Sequence, residues 1–118
     1  MDLFDVTQNA LTAAMRGSTA RQSALADNLA NVDTPGYVRK DVDFHSALSE
    51  ALGAGDSSLA DVSFTPQTDA AAAVRQDGNT VDVDQESSAL SQNALEYEAL
   101  ARVSATRIDI LKSAMGVS

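Results

Sequence analysis

The chain has 118 residues, a net charge of −9, no Cys and no Trp. That length bounds it at one domain. The absence of Cys excludes disulfides, thiolate catalysis and zinc–thiolate sites. Two Tyr and three Phe against many Ala make a thin core inventory. At about 25 cal/mol per Å² of apolar area, such a chain alone is marginally stable, so packing against other chains is expected to supply part of the stability. The charge is uneven. Residues 41–86 hold ten acids and one base, Arg75, while the segments on either side are neutral. Nucleic acid and anionic lipid are poor partners for such a chain. No apolar run reaches the roughly 18 residues of a membrane span.

In chain order, residues 4–30 read as an amphipathic helix. Phe4, Leu11, Met15, Leu25 and Leu29 form a stripe, and Phe4, Leu11, Ser18, Leu25 and Val32 repeat every seven residues. Gly17-Ser18 is a weak point, costing on the order of 1 kcal/mol against Ala. Small residues on the other faces let neighbours approach closely. The helix is expected to stop near Ala30 or Asn31, since Asn tolerates the left-handed conformation at helix ends. Pro35-Gly36 suits the centre of a type II turn. Tyr37 to Phe44 then reads as extended, with one or two helical turns before Leu52.

Gly53 to Ser58 has the composition of a flexible turn. Residues 59–73 carry no assignable pattern. A hairpin is expected at 74–83, with Asp77-Gly78-Asn79 as its turn and Val74, Val81 and Val83 on its arms. Residues 84–115 form the second long helix, capped by Asp82 or Asp84 and ended by Gly116. Its expected seam is Val83, Leu90, Tyr97, Ser104 and Leu111, with Ala94, Leu100 or Ala101, Ile108 and Met115 beside it.

The expected fold is therefore mainly α. Two long terminal helices pack as an antiparallel, coiled-coil-like pair, joined by an extended middle segment with a small β-hairpin. Residues 1–36 hold the first helix and its turn, 37–83 the acidic middle, and 84–118 the second helix, all in one domain. Phe4, Leu11, Met15, Leu25, Leu90, Tyr97, Leu100, Ile108 and Leu111 are the expected packing and assembly residues.

No catalytic, metal or cofactor constellation stands out. His45 is the single histidine and reads as a surface or hydrogen-bonding residue. Asp82, Asp84 and Glu86 resemble the start of a calcium loop, but Ser87 and Asn93 stand where Gly and Glu are needed, so helix capping explains them better. Asp41 and Asp43 share a face of an extended stretch without a partner base or nucleophile, and read as a solvated edge.

The stretch Ala26-Asp27-Asn28-Leu29-Ala30-Asn31-Val32-Asp33-Thr34-Pro35-Gly36-Tyr37 resembles the N-terminal signature of flagellar rod, hook and related axial proteins, A-x-N-[IL]-A-N-x-x-T-x-G-[YF]. With Arg39 to Phe44, Asp77 to Asp84 and Tyr97 in the last helix, it is similar to the FlgB family of proximal-rod subunits. The sister FlgC family is one alternative reading, and a helical adaptor outside the flagellum is another. The resemblance implies a structural subunit, not an enzyme, with no cofactor, small-molecule substrate or nucleic acid. It implies as partners copies of the chain, other rod subunits, the FliE adaptor and the flagellar type III export apparatus. It places the protein in the basal body, in the periplasmic rod, exported without a cleaved signal peptide. Ala26, Asn28, Leu29, Ala30, Asn31, Thr34, Pro35, Gly36 and Tyr37 carry the signature. Asn28 and Asn31 are expected to hydrogen-bond the chain leaving the helix.

Overall fold

A computed structural model describes residues 3–116, and within them the side chains of all but residues 3–5, 56 and 57. The packing expected of Phe4 lies outside the described side chains. Helix α1 spans Leu3–Ala30. It is followed by strand β1 (Lys40–Asp41), helices α2 (Phe44–Ala54) and α3 (Asp56–Asp61), strand β2 (Gln67–Thr68) and helix α4 (Val83–Ala114). The molecule measures 62 × 30 × 14 Å. It is a long helical pair with a thin second layer laid along one side.

The pair is antiparallel. Gln8 Nε2 donates to Ser104 Oγ at 3.0 Å, Ser18 meets Asn93, and Asn28 meets Glu86, so positions rise along α1 as they fall along α4. The Leu11, Ser18, Leu25 stripe of α1 does turn inward. Ser18 and Leu25 are fully buried, and Leu11 and Met15 half-buried.

On α4 the seam differs from the expected one. The inward positions are Glu86, Asn93, Leu100 and Arg107, again every seven residues, flanked by half-buried Ala89, Leu90 and Ser104. Tyr97, Ile108 and Leu111, expected in the seam, are exposed, as are Val83 and Met115. The reason is chemical. The two most buried residues of α4 are Glu86 and Asn93, and each is satisfied by hydrogen bonds with α1 or the middle segment. Burial with partners is permitted to polar groups, so counting apolar residues selects the wrong face.

The middle segment folds back onto α1. Asp43 caps α2, accepting from the Ser46 backbone N–H at 3.2 Å and from its hydroxyl at 2.8 Å. Helix α2 runs eleven residues, longer than the one or two turns expected. Gly55, at φ +113°, separates it from α3, so Gly53 to Ser58 is a helix–helix corner and not a flexible turn. Phe44, 1% exposed, packs with Val42 and Ala24, joined by Ala20 and Phe64. Gly17 is the contact point: a Cβ there would lie 2.5 Å from Phe44 Cβ. The glycine expected to weaken α1 is what lets α2 lie against it. Arg16 fastens the far end, donating to Leu59 O at 3.1 Å and Val62 O at 3.2 Å.

The small antiparallel sheet forms, but elsewhere than expected. It pairs β1 with β2, Lys40 opposite Thr68 and Asp41 opposite Gln67. At 74–83 the tight turn is present, with Gly78 at φ +83° and its N–H donating to Arg75 O at 3.0 Å. Its arms do not continue as strands. The Thr80 N–H goes to Tyr37 O, and the Val81 N–H to the Asn79 side chain. With those donors used, no ladder back to Val74 can propagate.

Candidate functional site: the signature turn and its supports

Helix α1 ends without a left-handed residue, since every positive φ among the described residues belongs to Gly. This corrects the expectation for Asn31. Its N–H still reaches Asp27 O at 3.1 Å, and the Thr34 N–H reaches Asn31 O at 3.0 Å. The last carbonyls of a helix lack partners within it. Here Asp27 O, Asn28 O and Leu29 O are met by the Asn31 and Val32 N–H groups, and the carbonyls just past the helix end are met from 45–48 residues downstream. The Asn79 side chain, fully buried, donates to Asn31 O (2.8 Å), Val32 O (3.1 Å) and Thr34 O (2.8 Å). Arg75 adds a bond to Val32 O at 2.6 Å.

The turn itself is as the sequence suggests. Tyr37 N–H donates to Thr34 O at 3.2 Å, and Gly36 sits at φ +75°. Gly at that position supplies the positive φ a Pro-Gly turn needs. The Gly36 N–H donates to Asp77 O at 2.9 Å. A Cβ on Gly78 would lie 3.3 Å from Gly36 Cα, so the two glycines cross at close backbone range. Arg75 also holds the Asp77 carboxyl below the usual carboxylate range. Asn31 serves the turn locally: its Oδ1 accepts from the Thr34 hydroxyl at 3.1 Å.

A second cluster lies one helical turn back. Asn28, fully buried, treats the departing chain as a strand neighbour. Its Nδ2 donates to Lys40 O at 2.7 Å, and its Oδ1 accepts from the Lys40 N–H at 2.9 Å. The same Oδ1 accepts from the Tyr37 hydroxyl at 3.2 Å. Burial, with Asp27 and Glu86 nearby, raises the Tyr37 pKa, which keeps it a donor. Glu86 is fully buried beneath this cluster. It accepts from Asn28 Nδ2 at 3.2 Å and from Arg39 Nε at 2.6 Å. Arg39 also reaches Asp69 at 2.6 Å, and its backbone N–H donates to Thr80 Oγ1. The hydrogen bond to Glu86, more than any other influence, pushes the Arg39 pKa further up. Three sequence-distant pieces meet here: residues 28–40, from the end of α1 through Tyr37 to β1, then Asp69, and the first turn of α4.

Arg39 in turn holds Asp69 below its ordinary pKa of 3.8. A lowered folded-state pKa stabilises above the unfolded value, and that contribution is lost as pH falls through the folded value. Between about pH 6 and about pH 3 the wild type should therefore lose more stability than Asp69→Asn, measured by urea unfolding at each pH.

The remaining sequence candidates lie apart from the cluster or serve local roles. Asp41 accepts from Arg21 at 2.9 Å, while Asp43 caps α2, so the two carboxylates face different partners. Asp82 is the N-cap of α4, accepting from Asp84 N and Gln85 N. His45, largely exposed, hydrogen-bonds Glu96 and stacks on Phe44. No group of three His, Cys, Asp or Glu suited to a metal occurs among the described residues. Of the signature, Asn28 is buried, while Leu29, Asn31 and Tyr37 are half-buried; Ala26, Ala30, Thr34, Pro35 and Gly36 are exposed. Sequence reasoning missed Asn79, Arg39 and Glu86. Asn79 was visible only as a turn residue and Glu86 only as a first-turn acid.

The arrangement ties distant parts of the chain around the turn. Residues 4–37 match the family model described as "Flagella basal body rod protein". The chain is 36% identical over 107 residues to the flagellar basal body rod protein FlgB of Aeromonas hydrophila, covering 80% of this chain and 78% of the relative. It is 31% identical over 125 residues to FlgB of Bacillus subtilis, covering 98% and 97%. To FlgB of Salmonella typhimurium it is 32% identical over 116 residues, covering 83% and 84%. On the matched family model and these relatives, the chain belongs to the FlgB family of flagellar basal body rod proteins.

Proposed function

We propose that the chain is a structural subunit of the proximal rod and polymerises through its terminal helices into the drive shaft of the flagellum. The observation that carries this reading is the inversion on α4. Its deepest residues, Glu86 and Asn93, are polar, and many of its apolar residues point outward: Leu95 (67% exposed), Val103, Ile108, Ile110 (61%) and Met115. A helix that buries Glu and Asn and exposes Leu and Ile is built to meet further chains. Heterologous contacts that do not close on themselves generate a helical polymer. Beside the Ser18–Asn93 pair a cavity of about 300 Å³ opens between the helices, bordered by Thr19, Gln22, Ala94 and Tyr97.

The proposed partners are copies of the chain, other rod subunits and the FliE adaptor, after passage through the flagellar type III export apparatus. The proposed location is the periplasmic rod. The test is complementation of a host whose own FlgB is deleted. The wild-type chain should copurify with basal bodies and restore swimming. Gly36→Val should be made and exported yet leave cells non-motile, because Val is strongly disfavoured at φ +75°. Normal swimming of that variant would count against the role of the turn, and absence of the wild-type chain from basal bodies would overturn the reading.

A further inference from the structure

We propose that residues 75–86 form a two-point clasp that makes the geometry of the signature turn conditional on docking of the first turn of α4, with Asn79 and Glu86 as the positioning residues. The coupling holds independently of the rod assignment.

The first point is Asn79. It spends both donor hydrogens on carbonyls of residues 31, 32 and 34, and its Oδ1 accepts from the Val81 N–H at 2.7 Å. One side chain thus fixes the end of α1 and the approach to Asp82, the cap of α4. The second point is Glu86, which anchors Asn28 and Arg39 from inside α4. Between the points, Gly36 N–H to Asp77 O and Thr80 N–H to Tyr37 O stitch the two strands of chain together. The turn's own bonds are short-range ones: Thr34 N–H to Asn31 O, Tyr37 N–H to Thr34 O, and the Thr34 hydroxyl to Asn31. A turn held internally by such bonds alone adopts one geometry only while its external supports are in place. Coupling of this kind is reciprocal, so disturbing the turn must also loosen the start of α4.

Asn79→Asp is the sharpest probe, since it keeps the shape and the acceptor for Val81 while removing both donors. Amide hydrogen exchange is measured on the full chain, free and within isolated basal bodies. Exchange at Gly36 and Thr80 should accelerate on the order of tenfold or more, with the amides of central α1 unchanged. Asn79→Ala should give the same pattern. Gly36→Val should accelerate exchange at Glu86 and Thr80. Asn93→Ala, which removes an equally buried amide midway along the helical pair, should not accelerate Gly36 selectively. The proposal is overturned if Gly36 exchange ignores Asn79→Asp, if all of α1 accelerates equally, or if Gly36 exchanges fast in the wild type in both settings. The rod assignment fails separately, on absence from basal bodies.

Discussion

Glu86→Ala should lower stability by about 3–5 kcal/mol. The carboxylate is fully buried and pairs with Arg39, whose side chain is 11% exposed. Removing it leaves a nearly buried guanidinium with Asp69 and the more distant Asp41 as its remaining partners. Asn28 also loses an acceptor. Replacing both charges by apolar groups is often neutral, but removing one strands the other. For a chain whose total stability is of order 5–15 kcal/mol, the melting temperature should fall by more than about 10 °C. Glu86→Gln, which keeps one acceptor oxygen, should lose less. Thermal unfolding followed by circular dichroism reads both, and a Glu86→Ala midpoint near that of the wild type would show that the ion pair contributes nothing net.

Gly17→Ala should destabilise, against the helix-propensity rule. An exposed glycine replaced by alanine in a helix gains about 1 kcal/mol. Here the new methyl would lie 2.5 Å from Phe44 Cβ and 2.9 Å from Phe44 Cγ. Those atoms sit at the root of the side chain, so a rotamer change does not relieve the overlap and α2 must move. Overpacking of this kind costs about 1–3 kcal/mol or more, which exceeds the propensity gain. Urea unfolding should show a lower midpoint, and a higher midpoint would mean that α2 does not pack on Gly17.

These two residues also show what the sequence conceals. Gly17 is a blemish when α1 is read alone, because nothing local announces that Phe44, 27 residues on, returns to it. Glu86 looks like a first-turn acid beside the Asp82 cap, and its burial depends on Arg39 and Asn28. The phase of the α4 seam was illegible for the same reason: its deepest residues, Glu86 and Asn93, are polar, and hydrophobic periodicity cannot register them. Features determined by local chemistry were legible. The Pro35-Gly36 turn, an Asp cap at 82 or 84 and the length of both helices follow from residues near them in the chain, and the antiparallel pairing from two helical patterns of similar length at opposite ends of it. Asn28 was legible through the signature, which supplied the role that its own neighbourhood did not. The hairpin at 74–83 was half legible: its turn is local, but the destination of its arms depends on Tyr37 and Asn79.

On the proposed reading, the stability of the chain and its assembly draw on different residues. Polar side chains join α1 to α4, and the exposed apolar residues of α4 are proposed to meet neighbours. The most direct measurement is the double substitution Ile108→Ser with Ile110→Ser, compared with the wild type for unfolding of the free chain and for recovery in purified basal bodies. Both side chains are exposed, so the unfolding midpoint should stay within the small range typical of surface changes, about 0.5 kcal/mol, while recovery in basal bodies should fall to background. Normal recovery in basal bodies would contradict the assignment of this face to assembly.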